Sequence, residues 1–293
     1  MDWQAVETAI SAATGNEFRV RAARPVSGGC INEAWCLEGA GRRYFVKLNR
    51  AALADMFAAE AAGLAAIRDT GAITCPGPLC HGSDGDRGWL VLEHLELAAP
   101  GDNSSARLGE QLAAMHRHTD GAFGFNRDNY IGATEQPNGQ QRDWAAFFSR
   151  HRLAFQLDLA EGNGAPGPLL DSGRRLSGGL THFFEGYSPP PSLLHGDLWG
   201  GNWGATSTGD PVVFDPAVYY GDREADMAMT ELFGGFDERF YQSYRQSWPL
   251  DPGYQTRKVL YNLYHILNHY NLFGGGYAAQ AQGMIDRLLA ELS

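Results

Sequence analysis

Hydrophobic and polar positions in the first ninety residues follow a pattern that predicts a small sheet and one long helix. Residues 2–13 place apolar side chains on one helical face. Four later runs have strand character: residues 18–25, 33–38, 44–49 and 89–93. The Ala-rich stretch 51–68 has strong helix propensity throughout, and Pro76 and Pro78 mark a loop after it. The pattern therefore indicates a mainly antiparallel sheet with one large inserted helix.

Beyond residue 95 the pattern becomes mainly helical. Leu108, Leu112 and Met115 recur at helical spacing, and residues 144–159 and 247–293 also have helical character. Two short apolar runs, 192–194 and 212–214, each end in a cluster of polar residues. The chain is therefore predicted to be an α+β protein with two lobes. Residues 1–93 would form a lobe with an antiparallel sheet and one large helix, and residues 94–293 a mainly helical lobe.

Charge and composition narrow the class of protein. The formal net charge is -11, and charged residues make up 19% of the chain. An acidic chain of this kind lacks the excess of basic residues that binds nucleic acid, and it is not attracted to anionic membranes. The N-terminus has no signal-peptide pattern, and no apolar run approaches the roughly 20 residues that span a bilayer. We therefore expect a cytoplasmic protein without nucleic-acid or membrane partners.

The strongest chemical signal is the run LHGDLWGGN at 194–202, followed by VFDPA at 213–217. In kinases, a catalytic-loop Asp accepts the proton of the substrate hydroxyl, and an Asn five residues later helps to hold magnesium. Asp197 and Asn202 have this spacing, and Asp215 lies where a second metal-binding Asp follows a strand. Together they outweigh the alternative that each only caps a loop, so the run predicts ATP- and Mg²⁺-dependent phosphotransfer.

A second signal lies in the predicted sheet. Lys47 is a lone charge inside the strand at 44–49, and Glu60 lies on the apolar face of the following helix. A buried carboxylate needs a partner, and kinases pair a strand Lys, which contacts ATP phosphates, with a helical Glu. The alternative is that Lys47 lies at a sheet edge and that Glu60 is unrelated to it. The separation of 13 residues, from one strand to the next helix, favours the pair.

The third signal is the loop SGGCIN at 27–32. Gly28 and Gly29 let backbone amides approach a phosphate closely, and Cys30 and Asn32 would lie beside it. We hypothesise that Cys30 is a redox switch through which oxidants inhibit the protein, and an inert cysteine is the alternative.

Together with the segments given below, these three signals resemble the fructosamine kinase (ketosamine-3-kinase) family, which is itself similar to aminoglycoside and choline phosphotransferases. The resemblance covers nearly the whole chain. Besides 27–32, 195–202 and 215–217, it is carried by FGF at 123–125, DNYIG at 128–132, QPN at 136–138, YGDRE at 220–224, ELFGGF at 231–236 and LYHILNH at 263–269. One departure is Gly200, where the family commonly has Ser.

The resemblance implies a protein-kinase-like two-lobed fold, with residues 1–93 as the ATP-binding lobe and residues 94–293 as the catalytic and substrate-binding lobe. It also implies a role for each matching residue. Asp197 would be the general base, and Asn202 and Asp215 would be magnesium ligands. Lys47 would anchor the phosphates and be held in place by Glu60. Backbone groups around Glu93 and Leu95 would contact adenine, and the Trp199 ring would line the sugar. The implied reaction is phosphorylation of the 3-hydroxyl of a ketosamine, either a small molecule or protein-bound. The phosphate then leaves by enolisation and restores the amine, which is deglycation, a form of protein repair.

Two alternatives stay open at this point. The first is a kinase for another small hydroxyl compound, such as an aminoglycoside or a free sugar. The second is a nucleotide-binding pseudokinase, which predicts the loss of Lys47, Asp197, Asn202 or Asp215, all of which are present. The amine carrier, the length of the sugar and the choice between monomer and homodimer are not determined by the sequence.

Overall fold

The computed structural model describes residues 2–26, 31–101 and 103–292. The strands are β1 (Ala22–Val26), β2 (Glu33–Gly39), β3 (Arg42–Arg50), β4 (Pro78–Asp84), β5 (Arg87–Glu93), β6 (Leu97–Ala98), β7 (Asn129–Ile131), β8 (Thr134–Gln136), β9 (Ser192–Leu194), β10 (Trp203–Thr206), β11 (Pro211–Val213) and β12 (Tyr219–Gly221). The helices are α1 (Gln4–Thr14), α2 (Ala54–Asp69), α3 (Ser104–His116), α4 (Trp144–Phe148), α5 (Phe155–Gly162), α6 (Gly167–Gly178), α7 (Glu224–Leu232), α8 (Glu238–Ser247), α9 (Tyr254–Phe273) and α10 (Tyr277–Glu291).

The chain forms two compact units, Met1–Ser104 with Trp203–Pro216, and Ser105–Asn202 with Ala217–Ser293. Residues 203–216 therefore pack with the N-terminal part of the chain although they lie far along the sequence. The division of roles between an ATP-binding lobe at 1–93 and a catalytic lobe at 94–293 stays a prediction, because compact packing does not by itself assign ATP binding or catalysis to a unit.

The first unit is built on a five-stranded antiparallel sheet with the order β1-β2-β3-β5-β4. Alternate residues of the strands bury against α1, as the period of two requires. The resulting core contains Val6 and Ile10 of α1 with Leu37, Val46 and Val91 of the sheet. A smaller sheet, with the order β11-β10-β6, completes this unit.

The predicted strand at 18–25 is wrong over its first half. The structure begins β1 at Ala22. The preceding segment is instead tied to α1, because the backbone N–H of Phe18 donates to Ser11 Oγ (2.9 Å) and that of Val20 donates to Glu7 Oε1 (2.7 Å). The loop predicted around Pro76 and Pro78 gives way to β4, which begins at Pro78, a position in a strand that tolerates proline.

The second unit is mainly helical, as predicted for this part of the chain. The helix predicted over 144–159 is interrupted by a π-helical segment, Ser149–Ala154, and the helical region predicted after 247 divides at residues 274–276. Helices α6, α7 and α8 were not predicted individually. No helix in the described ranges is long and apolar enough to cross a membrane.

His265 lies in the core of this unit, on α9, and is 5% exposed. Burial, and then the charge of His269, lower the pKa of His265 to about 3. The native state therefore keeps this imidazole neutral, whereas the unfolded chain protonates it below its ordinary pKa of 6.5. The stabilisation is complete above pH 6.5 and is lost progressively as the pH falls toward 3.

Because of His265, we expect the free energy of unfolding to be about 2 kcal/mol smaller at pH 5 than at pH 7. Urea unfolding at both pH values measures the difference. The variant His265→Asn removes the titrating group and should show a difference smaller by that amount. A variant that keeps the full wild-type pH dependence would contradict the assignment.

Candidate active site

Lys47 lies at the centre of the five-stranded sheet, on β3 between Ala34 of β2 and Leu90 of β5. Its side chain is only 7% exposed. The ammonium nitrogen Nζ donates to Glu60 Oε1 on α2 at 2.6 Å and to Asp215 Oδ1 at 2.6 Å. The structure therefore brings three of the predicted site residues together within the first unit.

The ion pairs keep Lys47 charged. Burial by itself would lower the pKa of Lys47, but the carboxylates of Glu60 and Asp215 outweigh it and raise the pKa above its ordinary value. Burial raises the pKa of Glu60; the Lys47 ammonium opposes this rise and the Asp215 charge adds to it. Because Nζ lies 2.6 Å from both carboxylates, the charged pair is the state we assign at neutral pH.

Asp215 has an uncommon backbone conformation. It lies just after β11 and has a φ of 57°, in the left-handed region that residues other than glycine seldom adopt. Its side chain is 45% exposed although it pairs with Lys47. Strain of this kind is concentrated at functional sites. A carboxylate is a hard oxygen donor, which is the type that a hard metal cation prefers.

In the second unit, the segment predicted to be catalytic (residues 195–202, called the catalytic loop below) follows β9. Gly196 begins its turn with a φ of 81°, and a Cβ built there would lie 2.0 Å from the carbonyl oxygen of Ala217, so only glycine fits. The amide Nδ2 of Asn202 donates to the carbonyl oxygen of Asp197 at 2.8 Å and to its Oδ2 at 3.3 Å. Asp197 and Asn202 are therefore in contact across the loop.

Asp226 on α7 anchors this loop. Its Oδ2 accepts the backbone N–H of His195 (2.7 Å), and its Oδ1 accepts that of Gly196 (2.8 Å), directly before Asp197. The imidazole Nε2 of His116 lies 3.1 Å from the same Oδ2. Burial alone would raise the pKa of Asp226, but the hydrogen bonds from His116 and Gly196 help to bring it below its ordinary value.

Asp226 was not among the residues predicted from the sequence. The signal available was a carboxylate between alanines and methionines in residues 224–229, where a solvent-facing helix would carry more polar residues.

We expect Asp226→Asn to lower kcat because the amide replaces one of the two oxygens that hold the loop. The free energy of unfolding should fall by about 1–3 kcal/mol, while the KM for ATP changes little. Steady-state kinetics and urea unfolding measure the two effects. Asp222→Asn is the matched control, since Asp222 is equally buried but accepts from the hydroxyls of Tyr187 and Tyr261. An equal loss of kcat in both variants would contradict the anchoring role.

A second set of buried hydrogen bonds also supports the catalytic loop. The amide of Gln136 donates to the Ala217 carbonyl (3.1 Å), and the Ala217 N–H donates to the His195 carbonyl (2.8 Å). Tyr264 donates its hydroxyl to Gln136 Oε1 at 2.7 Å. Arg152, in the π-helical segment, is fully buried and lies 4.0 Å over the ring of Tyr219.

The remaining predicted site residues have the following positions. Trp199 is 42% exposed on the catalytic loop. Glu93 ends β5 and accepts from Arg68 and from the Gly77 N–H, and Leu95 follows it in the connection to β6. Asn32 accepts through Oδ1 from Asn49 Nδ2 at 2.8 Å. Gly28, Gly29 and Cys30 lie outside the described residues, so their predicted roles, including the redox switch, stay predictions.

Comparison with known proteins identifies the chain at the level of the family. The sequence model of the family described as "Fructosamine kinase" matches residues 2–291. The chain belongs to the fructosamine kinase family. It is 50% identical over 292 residues to a probable ketoamine kinase of Synechocystis, covering 98% of this chain and 97% of that protein. It is 42% identical over 281 residues to the chloroplastic protein-ribulosamine 3-kinase of Oryza sativa subsp. japonica, covering 95% of this chain and 82% of that one.

Solved structures give the same family and fold. A crystal structure of a proposed fructosamine-3-kinase from Haemophilus somnus matches with a TM-score of 0.89 and 30% identity, over 98% of this chain and 97% of that chain. An aminoglycoside phosphotransferase matches with a TM-score of 0.64 and 17% identity over the full length of both chains, which shows a shared fold only. The predicted α+β, protein-kinase-like fold and the family resemblance are thereby confirmed.

Proposed function

We propose that this fructosamine kinase relative is an ATP-dependent kinase that phosphorylates the 3-hydroxyl of ketosamines. The observation that carries the proposal is the catalytic loop, where Asn202 contacts Asp197 and Asp226 holds the two preceding backbone amides. A carboxylate held in this way is suited to accept a proton from an alcohol. The names of its relatives, ketoamine kinase and protein-ribulosamine 3-kinase, support the choice of alcohol.

Asp197 would act as the general base. Its carboxylate would accept the proton of the 3-hydroxyl while that oxygen attacks the γ-phosphorus of ATP, and the bond between this phosphorus and the bridging oxygen of ADP breaks. Asn202 would limit the orientations of the Asp197 carboxylate through the contact at 3.3 Å. The buried network around Asp226 and Gln136 would fix the backbone that carries the base.

Lys47 would bind the phosphates of ATP, because a buried, permanently charged ammonium is a fixed electrostatic partner for them. Glu60 would hold the ammonium in place. The backbone around Glu93 and Leu95 would meet the adenine ring, and the loop containing Gly28, Gly29, Cys30 and Asn32 would approach the phosphates. ATP use follows from the kinase family, whereas these contacts are proposals.

Asp215 and Asn202 would be the magnesium ligands, because each side chain carries an oxygen donor of a suitable type. Asp215 offers a carboxylate that is 45% exposed, and Asn202 offers an amide oxygen, because its Nδ2 is engaged with Asp197. Both are hard oxygen donors of the type that Mg²⁺ prefers, with ATP oxygens completing its coordination. When bound, the ion would neutralise charge on the phosphates.

The acceptor would be a ketosamine on a small amine or on a protein lysine, with Trp199 lining the sugar. After phosphorylation at O3, enolisation through the neighbouring ketone would expel the phosphate and free the amine. A cytoplasmic location is part of the proposal. It is supported by free Cys36, Cys75 and Cys80, which are typical of reducing compartments.

ATP-consumption assays on ribulose-lysine, fructose-lysine and a panel of aminoglycosides test the proposal. Turnover of a ketosamine well above that of every aminoglycoside is the expected result. Turnover only on aminoglycosides or free sugars would overturn the proposed acceptor, and no ATP turnover on any acceptor would favour a pseudokinase.

A further inference from the structure

Arg223 is a buried cation directly before α7, in the 220–224 segment that carries the family resemblance. It is 5% exposed. Its guanidinium donates to the backbone carbonyls of Trp248 and Pro249, and its Cζ lies 4.1 Å from the centroid of the Trp248 ring. Nη1 also donates to the hydroxyl oxygen of Tyr244 at 3.1 Å. Because a guanidinium has no acceptor, the direction of this last hydrogen bond is fixed.

The hydroxyl of Tyr244 connects Arg223 to His116. Tyr244 lies on α8 and His116 on α3, both are fully buried, and the hydroxyl oxygen lies 2.7 Å from Nδ1 of the imidazole. In the described part of the chain, the hydroxyl has no hydrogen-bond partner besides Arg223 and His116. A phenol carries one hydrogen. Since the phenol oxygen accepts from Arg223, that hydrogen is available for Nδ1, which therefore accepts it.

The other ring nitrogen of His116 faces a carboxylate. Nε2 lies 3.1 Å from Oδ2 of Asp226, an oxygen that also accepts the backbone N–H of His195. An ionised carboxylate only accepts hydrogen bonds, so Nε2 carries a hydrogen. Burial lowers the pKa of His116; Asp226 opposes this effect and the charge of Arg223 adds to it. The ring is therefore neutral with a single N–H, and its two neighbours require the same tautomer, with the hydrogen on Nε2.

We propose that Arg223 is a positioning residue for the catalytic loop, which acts through Tyr244 to keep the hydrogen of His116 on Nε2. The effect on catalysis rests on the proposed function. Without Arg223, the phenol oxygen can accept a hydrogen from Nδ1, and the imidazole can then present a bare Nε2 to Asp226. Asp226 would lose one of the donors that hold its carboxylate. The two backbone amides before the proposed base would then be held less firmly.

A double-variant cycle tests whether Arg223 acts through Tyr244. Wild type, Arg223→Met, Tyr244→Phe and the double variant are compared for kcat and KM with ribulose-lysine and ATP. Each single variant should lower kcat about tenfold, the change expected for the loss of one hydrogen bond, with the KM for ATP within about twofold of wild type. The double variant should also lose about tenfold, whereas two independent losses would multiply to about a hundredfold, because both changes interrupt one chain of hydrogen bonds.

NMR of the histidine rings gives a second readout, which a purely structural role of Arg223 would not change. Long-range proton–nitrogen spectra of protein labelled with nitrogen-15 histidine, recorded at neutral pH, show which ring nitrogen carries the hydrogen. Wild-type His116 should have a protonated Nε2 and a bare Nδ1. In Arg223→Met the Nδ1 signal should move toward that of a protonated nitrogen, and in Tyr244→Phe it should move because its donor is lost.

Two variants are matched controls. Arg117→Met removes another arginine that lies over the Trp248 ring, with Cζ 5.3 Å from its centroid. Tyr241→Phe removes another hydroxyl of α8, which donates to the Thr230 carbonyl at 3.1 Å. Among the described residues, neither side chain hydrogen-bonds to Tyr244 or His116. Both controls should keep kcat within about twofold of wild type and leave the His116 signals in place.

If Arg223→Met does not fold, the comparison of Tyr244→Phe with Tyr241→Phe decides through kcat and the Nδ1 signal. Independent losses in the double variant, an unchanged kcat in Tyr244→Phe, or a wild-type His116 with its hydrogen on Nδ1 overturns this inference and leaves the kinase assignment standing. A wild type without turnover on any ketosamine overturns the proposed function itself, while the spectra still decide the tautomer of His116 and its dependence on Arg223.

Discussion

Asp197→Ala should lower kcat by roughly 10²- to 10⁴-fold on a ketosamine acceptor, the range expected for loss of a general base. The KM for ATP should change little, because Asp197 belongs to the catalytic loop and Lys47 supplies the proposed phosphate contact. Steady-state kinetics with each substrate varied in turn measure both quantities.

Asp197→Asn is the matched control for position. The amide has the same shape and can still contact Asn202, but it cannot accept the proton of the hydroxyl at neutral pH. We therefore expect Asp197→Asn to lower kcat nearly as much as Asp197→Ala. Nearly wild-type turnover in Asp197→Asn would mean that the carboxylate orients the substrate without acting as a base.

Lys47→Met should produce the second large effect, because it removes the cation from between two carboxylates. We expect kcat/KM for ATP to fall about 10²- to 10³-fold, comparable with the loss of one preorganised electrostatic partner. The free energy of unfolding should also fall, by about 3 kcal/mol, because Glu60 is only 13% exposed and is left without its partner. Kinetics and urea unfolding together measure the two losses.

The double variant Lys47→Met/Glu60→Gln separates stability from catalysis. Replacing the unpaired carboxylate of Glu60 with a neutral amide should restore about 1–2 kcal/mol of the free energy of unfolding that Lys47→Met removes. Activity should stay low, since the phosphate anchor is still absent. Recovery of activity along with stability would show that Lys47 serves the fold alone.

The parts of the site that were predictable from the sequence are those in which a residue type is unexpected in its local pattern. Lys47 interrupts an apolar strand and Glu60 an apolar helix face, and the structure places their charged groups 2.6 Å apart. The spacing between Asp197 and Asn202 predicted a shared loop, and the two side chains are in contact. In both cases the partners lie within 13 residues of one another, so local geometry limits the possibilities.

The features that were missed depend on contacts between distant residues. Asp226 reaches back 30 residues to Gly196, and His116 reaches forward 110 residues to Asp226. A sequence shows neither pairing, because nothing local determines which buried groups meet. The π-helical segment around Arg152 is similar, since the guanidinium of Arg152 donates to the Pro137 carbonyl and to Asn138 Oδ1, which the fold brings close. The strand predicted at 18–25 begins only at Ala22, because side chains of α1 accept the backbone hydrogen bonds of Phe18 and Val20.

Locating the transferred phosphate tests ketosamine 3-phosphorylation most directly. Wild-type protein is incubated with ribulose-lysine, ATP and Mg²⁺, and the product is followed by phosphorus and carbon NMR, with Asp197→Ala as the control. We expect phosphate on O3 of the ketosamine, followed by release of inorganic phosphate and free lysine, with neither signal in the variant at the same time points. Phosphate on another hydroxyl, or a product that retains its amine linkage indefinitely, would contradict it.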